Sequence, residues 1–280
     1  MTMLSINTNV GALNAAQSSY SVNKSMETSM ARLSSGKRIN SAADDAAGIQ
    51  VANRMNAEIK GLQASIRNAA DGQAILSTAE GALTEVHTML LRMREIAVQA
   101  SNDTLSAADR TSLQAEVTAL EREIYRINDD TTWAGQVLLA GGFTTGLSLQ
   151  VGPRSGDNIQ ISIGAIRATT AFTAGGLSLG GHSVTTAAAA MASIVGFDNA
   201  ISHVATNRGY YGATINRLDH TIANLQNVAT NLQLAKGRIE DADFAAETSN
   251  LARTQVLQQA SMAMLAQANA AKQNILALFQ

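Results

Sequence analysis

Residues 194–232 read IVGFDNAISHVATNRGYYGATINRLDHTIANLQNVATNL, and apolar side chains recur through them in alternating steps of three and four. The series runs Ile194, Phe197, Ile201, Val204, Arg208, Tyr211, Ile215, Leu218, Ile222, Leu225, Ala229 and Leu232, and only Arg208 interrupts it. That rhythm is the coiled-coil signature and predicts one rod-like helix, about 60 Å long at 1.5 Å per residue. A chain that contains such a rod must bury its stripe against other helices, so the fold class is mainly α, with long antiparallel helical rods.

Working back from the rod, SAAD at 41–44 offers an N-cap serine with an acid three places on and predicts a second long helix beginning at Ser41. Its stripe is Ala52, Met55, Ile59, Leu62, Ile66, Ala69 and Leu76, then slips one place to Ala79, Leu83, Val86, Leu90, Met93 and Ala97. A drifting stripe is expected on a long straight helix. A second SAAD, at 106–109, predicts a third helix with Leu113, Val117, Leu120, Ile124 and Ile127 on one face. Between the outgoing and returning helices, LSLQV (147–151) and IQISI (159–163) alternate around GPRSGDN, which reads as a β-hairpin. The Gly/Ser/Thr/Ala-rich stretch 168–190 reads as a connector. The chain therefore goes out along two helices, turns at a β patch of about 137–165, and returns along one.

Composition narrows the function. Charged residues are 15% of the chain against a usual quarter, aromatics 4%, and the formal net charge is −2. Nothing here favours nucleic acid or an anionic membrane as partner. Cysteine is absent, which excludes thiol catalysis and disulfides. Neither a basic, apolar leader nor a run of 18 apolar residues is present, so export by an ordinary signal peptide is not expected.

The two ends are unlike an ordinary bundle. Residues 1–23 carry no charged side chain, and 254–280 carry only Lys272. The C-terminal segment has a heptad rhythm in Leu257, Ser261, Met264, Ala268, Ala271, Ile275 and Leu278, yet its other faces hold Ala, Gln, Asn and further apolar residues. A helix with so little charge on any face is expected to be surrounded by protein. The N-terminal segment has Ile6, Val10, Leu13 and Tyr20 as its main anchors. At about 1–2 kcal/mol of backbone entropy per ordered residue, neither end should fold alone. Burial between copies of the same chain, with ordering and association together, is the expected outcome, and heterologous contacts of that kind build rings or filaments.

Several long motifs then carry a resemblance. LSSGKRINSAADDAAG (33–48), SINTNVGALNA near the start, LRMREIAVQASNDT (91–104), and the whole run from GRIEDADF to the end resemble bacterial flagellins. The resemblance implies a self-polymerising subunit of the flagellar filament without enzymatic activity or cofactor, secreted to the cell exterior. It implies an inner paired-helix layer, 1–44 with 240–280, lining the filament channel. Ile6, Val10, Leu13, Tyr20, Leu257, Met264, Ala268, Ala271, Ile275 and Leu278 would form its polymerisation core. Rods and hairpin at 45–239 would form the next layer, with 168–190 replacing the outer domains of larger relatives. Leu33, Gly36, Lys37 and Arg38 would form a spoke whose cations pair with Asp44, Asp45, Glu240, Asp241 or Asp243. Implied partners are identical copies, the flagellar type III export apparatus and an export chaperone, the filament cap, and hook-junction proteins. A surface that a toll-like receptor detects on some flagellins matches at Arg92, Glu95, Ile96, Gln99 and Glu116 and departs at Leu91 and Leu120. Trp133-Ala134-Gly135 stands where many flagellins have Phe-Asn-Gly.

Two rival readings stay open at this level: a hook–filament junction protein, and a secreted monomeric immune ligand or adhesin. GLSLG (176–180) matches the nucleophile-elbow pattern but lacks the strand before and helix after that the motif needs. His87, His182, His203 and His220 show no metal-ligand spacing.

Overall fold

The structure is a computed structural model whose described residues are 8–140, 146–164 and 181–277, the side chains of 271–277 excepted. Among these residues the order is α1 (Val10–Ser35), α2 (Ala46–Ala100), α3 (Ala107–Asp130), β1 (Thr132–Trp133), β2 (Gln136–Val137), β3 (Leu147–Gln150), β4 (Asn158–Ile161), α4 (Ala187–Glu240) and α5 (Phe244–Ala277). Two compact units divide the chain: Met1–Ala57 with Asn231–Gln280, and Glu58–Thr230.

In the Glu58–Thr230 unit, α2 and α4 run antiparallel. Gln73 donates to Asp219, Glu80 meets Arg208 and Arg94 meets Asp198, so a step up one helix is a step down the other. The stripes read from the sequence form the shared interior: Leu76, Leu83, Leu90 and Met93 from α2 and Phe197, Val204, Tyr211 and Leu218 from α4 are buried. Arg208, the interruption in the apolar rhythm, is half-buried because its guanidinium reaches the Glu80 carboxylate at 2.9 Å. Helix α3 adds Val117 and Ile124, and its start is a complete capping box between Ser106 and Asp109. The Ser106 hydroxyl holds the Asp109 carboxyl below its usual pKa.

The hairpin β3–β4 is antiparallel, with Leu147 opposite Ile161 and Leu149 opposite Ile159. It docks on α2 where Gly72 leaves room, since a side chain at that position would collide with Leu149. The small pair β1–β2 joins Trp133 to Gln136 across Ala134 and Gly135, which both have positive φ (49° and 81°). This is a two-residue hairpin turn of the kind that Asn-Gly serves best.

Three expectations change. Helix α2 begins at Ala46, not Ser41. Asp44 closes a turn by accepting from the amides of Asn40 and Ser41, and Asp45 takes the capping role, its carboxylate accepting from the Gly48 amide. Helix α4 starts at Ala187, so the connector ends before 190, and the helix runs past both ends of the predicted rod. The connector residues 168–180, with GLSLG, lie outside the described residues.

In the other unit, α1 lies antiparallel to α5. The Asn9 side-chain amide donates to the Ala268 carbonyl at 3.1 Å, Gln258 donates to Asn23 at 2.8 Å, and Arg32 faces Glu247 at 3.9 Å.

Candidate functional site

The paired ends are the candidate site, and their surfaces follow from where each residue type falls. On α1 Ala12, Ala15, Ser19, Val22, Met26, Ser29 and Leu33 are half-buried or buried in a three-four rhythm, with Asn23, Thr28 and Arg32 half-buried next to that stripe. On α5 Glu247, Leu251, Thr254, Gln258, Ser261, Leu265 and Ala268 follow the same rhythm, with Thr248 half-buried as well. The seam between the two helices is thus made mostly of small and polar side chains. Val22, Met26, Leu33, Leu251 and Leu265 are its large apolar members, half-buried, while other large apolar residues point away from it. Val10 is 58% exposed, Leu13 60%, Tyr20 69%, Leu257 46% and Met264 65%, and Met30, Val256 and Met262 are exposed as well.

This differs from the stripe read in the sequence. Ser261 and Ala268 lie on the seam as the heptad predicts, whereas Leu257 and Met264 lie off it. The reason is that α5 has apolar residues on every side, so its hydrophobic period carries no phase. Polar fixed points choose the face instead, at Glu247, Gln258 and the Ala268 carbonyl. Ile6 and Leu278 lie outside the described residues, as do the side chains of Ala271 and Ile275.

Both helices also satisfy their own hydroxyls. Ser25 and Thr28 on α1, and Thr248, Ser249 and Thr254 on α5, each donate to the carbonyl four residues back.

The spoke residues gather at the base of the pair. Gly36 caps α1 in the left-handed conformation, φ 69°, and turns the chain. The strand-like segment that follows pairs with the one between α4 and α5. Arg38 N–H donates to the Glu240 carbonyl at 2.6 Å, and Ala242 N–H donates to the Gly36 carbonyl at 3.0 Å, around a Lys37–Asp241 bridge. Lys37 Nζ is 3.2 Å from Glu240, and Arg38 is 3.6 Å from Asp45 and donates to the Ile239 carbonyl. Two carboxylates expected to pair with these cations do something else. Asp44 holds its turn, where the Ser41 and Asn40 amides keep its carboxyl below the ordinary range. Asp243 caps α5, accepting from the Ala245 and Ala246 amides. Leu33 is half-buried beside them. Glu247, which sequence reasoning did not single out, is 8% exposed and faces Arg32, whose Nε is buried without a partner.

The receptor-like surface is only partly a surface. Arg92, Glu95 and Gln99 are exposed on α2, and Arg92 is held between Glu95 at 2.7 Å and Glu116 at 2.9 Å. Ile96 is fully buried in the α2–α4 core and cannot belong to an outward face of the folded chain. Its position, on the opposite side of the helix from Leu91 and Val98, explains why.

No group of three or more His, Asp or Glu side chains among the described residues is placed to hold a metal ion, and no described helix is long and apolar enough to cross a membrane.

Comparison with known proteins places the sequence in a family. Residues 6–144 match the bacterial flagellin N-terminal helical region, and residues 194–279 match the bacterial flagellin C-terminal helical region. A flagellin of Halalkalibacterium halodurans is 42% identical over 275 residues, covering 98% of this chain and 99% of that one. A flagellin of Bacillus subtilis is 39% identical over 302 aligned positions, with the same coverage of 98% and 99%. The crystal structure of Bacillus cereus flagellin aligns at a TM-score of 0.49 and 32% identity, covering 61% of this chain and 94% of that chain.

Proposed function

The chain belongs to the bacterial flagellin family, and from that premise we infer how its two ends build a polymer. It is a structural subunit of the flagellar filament. The reading that follows rests on one observation: α1 and α5 meet mostly through small and polar side chains and leave Val10, Leu13, Tyr20, Val256, Leu257, Met262 and Met264 exposed in the single chain.

Each of those side chains gains roughly 1.5–3 kcal/mol when fully covered. Copies of the same chain are the occupants that a filament supplies. Contacts between unlike faces of identical subunits propagate without closing, which yields an open helical polymer. The scarcity of charge on these faces matters equally, because an unpaired charge buried between copies costs several kcal/mol. Residues 1–44 and 240–280 form the inner layer lining the channel, and 45–239 form the layer outside it. The polymerisation core comprises Ile6, Val10, Leu13, Tyr20, Leu257, Met264, Ala268, Ala271, Ile275 and Leu278. The spoke of Leu33, Gly36, Lys37, Arg38, Asp45 and Glu240 joins the layers.

The filament stands outside the cell, and subunits reach it through the flagellar export apparatus with a chaperone, adding beneath a cap and beyond the hook-junction proteins. Arg92, Glu95, Gln99 and Glu116 are the residues a toll-like receptor would meet on the free subunit.

Negative-stain microscopy of the full-length chain and of a form lacking residues 1–20 tests the assembly reading. The full-length chain should form long filaments. The shortened form should remain monomeric while the Glu58–Thr230 unit keeps its helical circular dichroism. Equal polymerisation by both would refute a role for the N-terminal helix.

A further inference from the structure

A seam of small and polar residues holds two helices together but says little about how far along each other they sit. One heptad of slip would still set Ala12, Ala15 and Ser19 against small or polar residues of α5, Ser261, Gln258 and Thr254. In ordinary coiled coils, register is specified by large apolar knobs or by single buried polar residues. Here the large apolar residues on the seam, Val22, Met26, Leu33, Leu251 and Leu265, are only half-buried, and others of the same kind lie off it.

The base of the pair carries what the seam lacks. The left-handed Gly36 ends α1 at a defined residue. Two backbone hydrogen bonds, from Arg38 to Glu240 and from Ala242 to Gly36, tie that point to the start of α5. Lys37 adds its ammonium to Glu240, and Asp243 fixes where α5 begins. One turn further out, the buried Glu247 faces Arg32. A slipped pair would leave that carboxylate without its cation.

We propose that Arg32, Gly36, Lys37, Glu240 and Glu247 are the residues that set the register of the terminal helix pair, fixing it from the base outward. The inference rests on the reading that α1 and α5 pair inside the filament. Its consequence is geometric: register decides which apolar residues of α1 share an outer face with which of α5, so a subunit with a loosened base presents the wrong surface to its neighbours.

Because the chain has no cysteine, two introduced thiols can pair only with each other within a subunit or with those of a neighbouring copy. A Cβ at Gly11 would stand 3.8 Å from the Ala268 Cβ, a distance suited to a disulfide. Gly11→Cys with Ala268→Cys therefore reports the native register in purified filaments, read as intrachain disulfide by mass spectrometry. Gly11→Cys with Ser261→Cys, or with Ile275→Cys, reports a slip of one heptad either way.

With an intact base, the 11/268 disulfide should form and the other two should be at least about tenfold scarcer. Two base variants follow: Arg32→Ala with Lys37→Ala, and Gly36→Val, which acts through backbone strain since nothing crowds its Cβ. In each, the 11/268 yield should fall by about half or more and a slipped disulfide should appear. Unchanged 11/268 yield with no slipped product overturns the proposal. Should a base variant be excluded from filaments, preforming the 11/268 disulfide in it should restore incorporation, and failure to restore it overturns the proposal. Absence of the 11/268 disulfide in filaments with an intact base would instead overturn the pairing itself, which the residue 1–20 truncation does not address.

Discussion

In the Glu58–Thr230 unit, the positions where α2 and α4 face each other hold Leu76, Leu83, Leu90, Phe197, Val204 and Leu218, all buried within one chain. In the other unit, the facing positions of α1 and α5 are mostly small or polar, as at Ala12, Ser19, Ser29, Thr254, Gln258 and Ser261; Val22, Met26, Leu33, Leu251 and Leu265 are half-buried among them, and Val10, Leu13, Tyr20, Leu257 and Met264 look outward. Both interfaces use the same three-four spacing. They differ in what occupies it. A helix pair whose facing residues are large completes its core alone, whereas a pair whose facing residues are small needs other chains to cover what it leaves exposed. The same local geometry thus yields a self-sufficient rod in one part of the molecule and, on the proposed reading, an assembly element in the other.

The contrast breaks most plainly by truncating large side chains in each unit. Phe197→Ala should cost about 3–5 kcal/mol, seen as a large fall in the melting temperature of the monomer. Leu257→Ala with Met264→Ala should leave that melt within about 0.5 kcal/mol. It should raise the critical concentration for polymerisation by at least about tenfold, equivalent to about 1.4 kcal/mol. A monomer melt that falls equally in both cases would show that the terminal pair has a core of its own.

A smaller effect should confine itself to the rod unit. Ala134 has φ 49° in the turn between β1 and β2, a conformation that costs an alanine about 1–2 kcal/mol and that asparagine tolerates. Ala134→Asn should stabilise the monomer by about 1 kcal/mol in a denaturant titration while leaving the critical concentration as it was.

The smallest effect at neutral pH concerns Tyr211. Its hydroxyl is buried without a partner of hydrogen-bonding geometry, and burial pushes the phenol up to about 12, the Gly164 backbone pulling weakly the other way. An unfolded tyrosine titrates near 10, so the neutral buried form contributes stability that is complete below pH about 10. That contribution is lost as pH climbs through about 12. Tyr211→Phe should change stability at pH 7 by less than about 1 kcal/mol. It should also flatten the alkaline loss in a series of melts from pH 8 to 12.

Much of the rod unit was legible because its residues disagree strongly with one another. Along α4, large aliphatic side chains alternate with polar ones, so the period has both a length and a phase, and Arg208 stood out as an interruption that Glu80 accounts for. The third helix was legible through its capping box. The same four letters misled at 41–44, because Asp45 follows Asp44 and captures the cap, leaving SAAD to close a turn. On α5 the heptad was visible but its face was not, for apolar residues lie all round. The seam is located by polar pairs between residues far apart in the chain, such as Gln258 with Asn23, which no local pattern can report. Two-residue strands such as β1 and β2 are too short to show alternation. Ile96 was placed by likeness to other flagellins, and likeness assigns a position without assigning an exposure.

One feature of the terminal helices bears on how a filament can bend. Serines that donate to their own helix, as the exposed Ser25 and Ser249 do, would meet a neighbour with their protons already committed. Faces of this kind adhere through shape and dispersion, which weaken gradually as atoms shift by a fraction of an ångström. Directional bonds would weaken steeply over the same shift. In the proposed assembly, adjacent strands of subunits lined in this way would creep past each other without any bond having to snap, and curvature would then come at little energetic penalty.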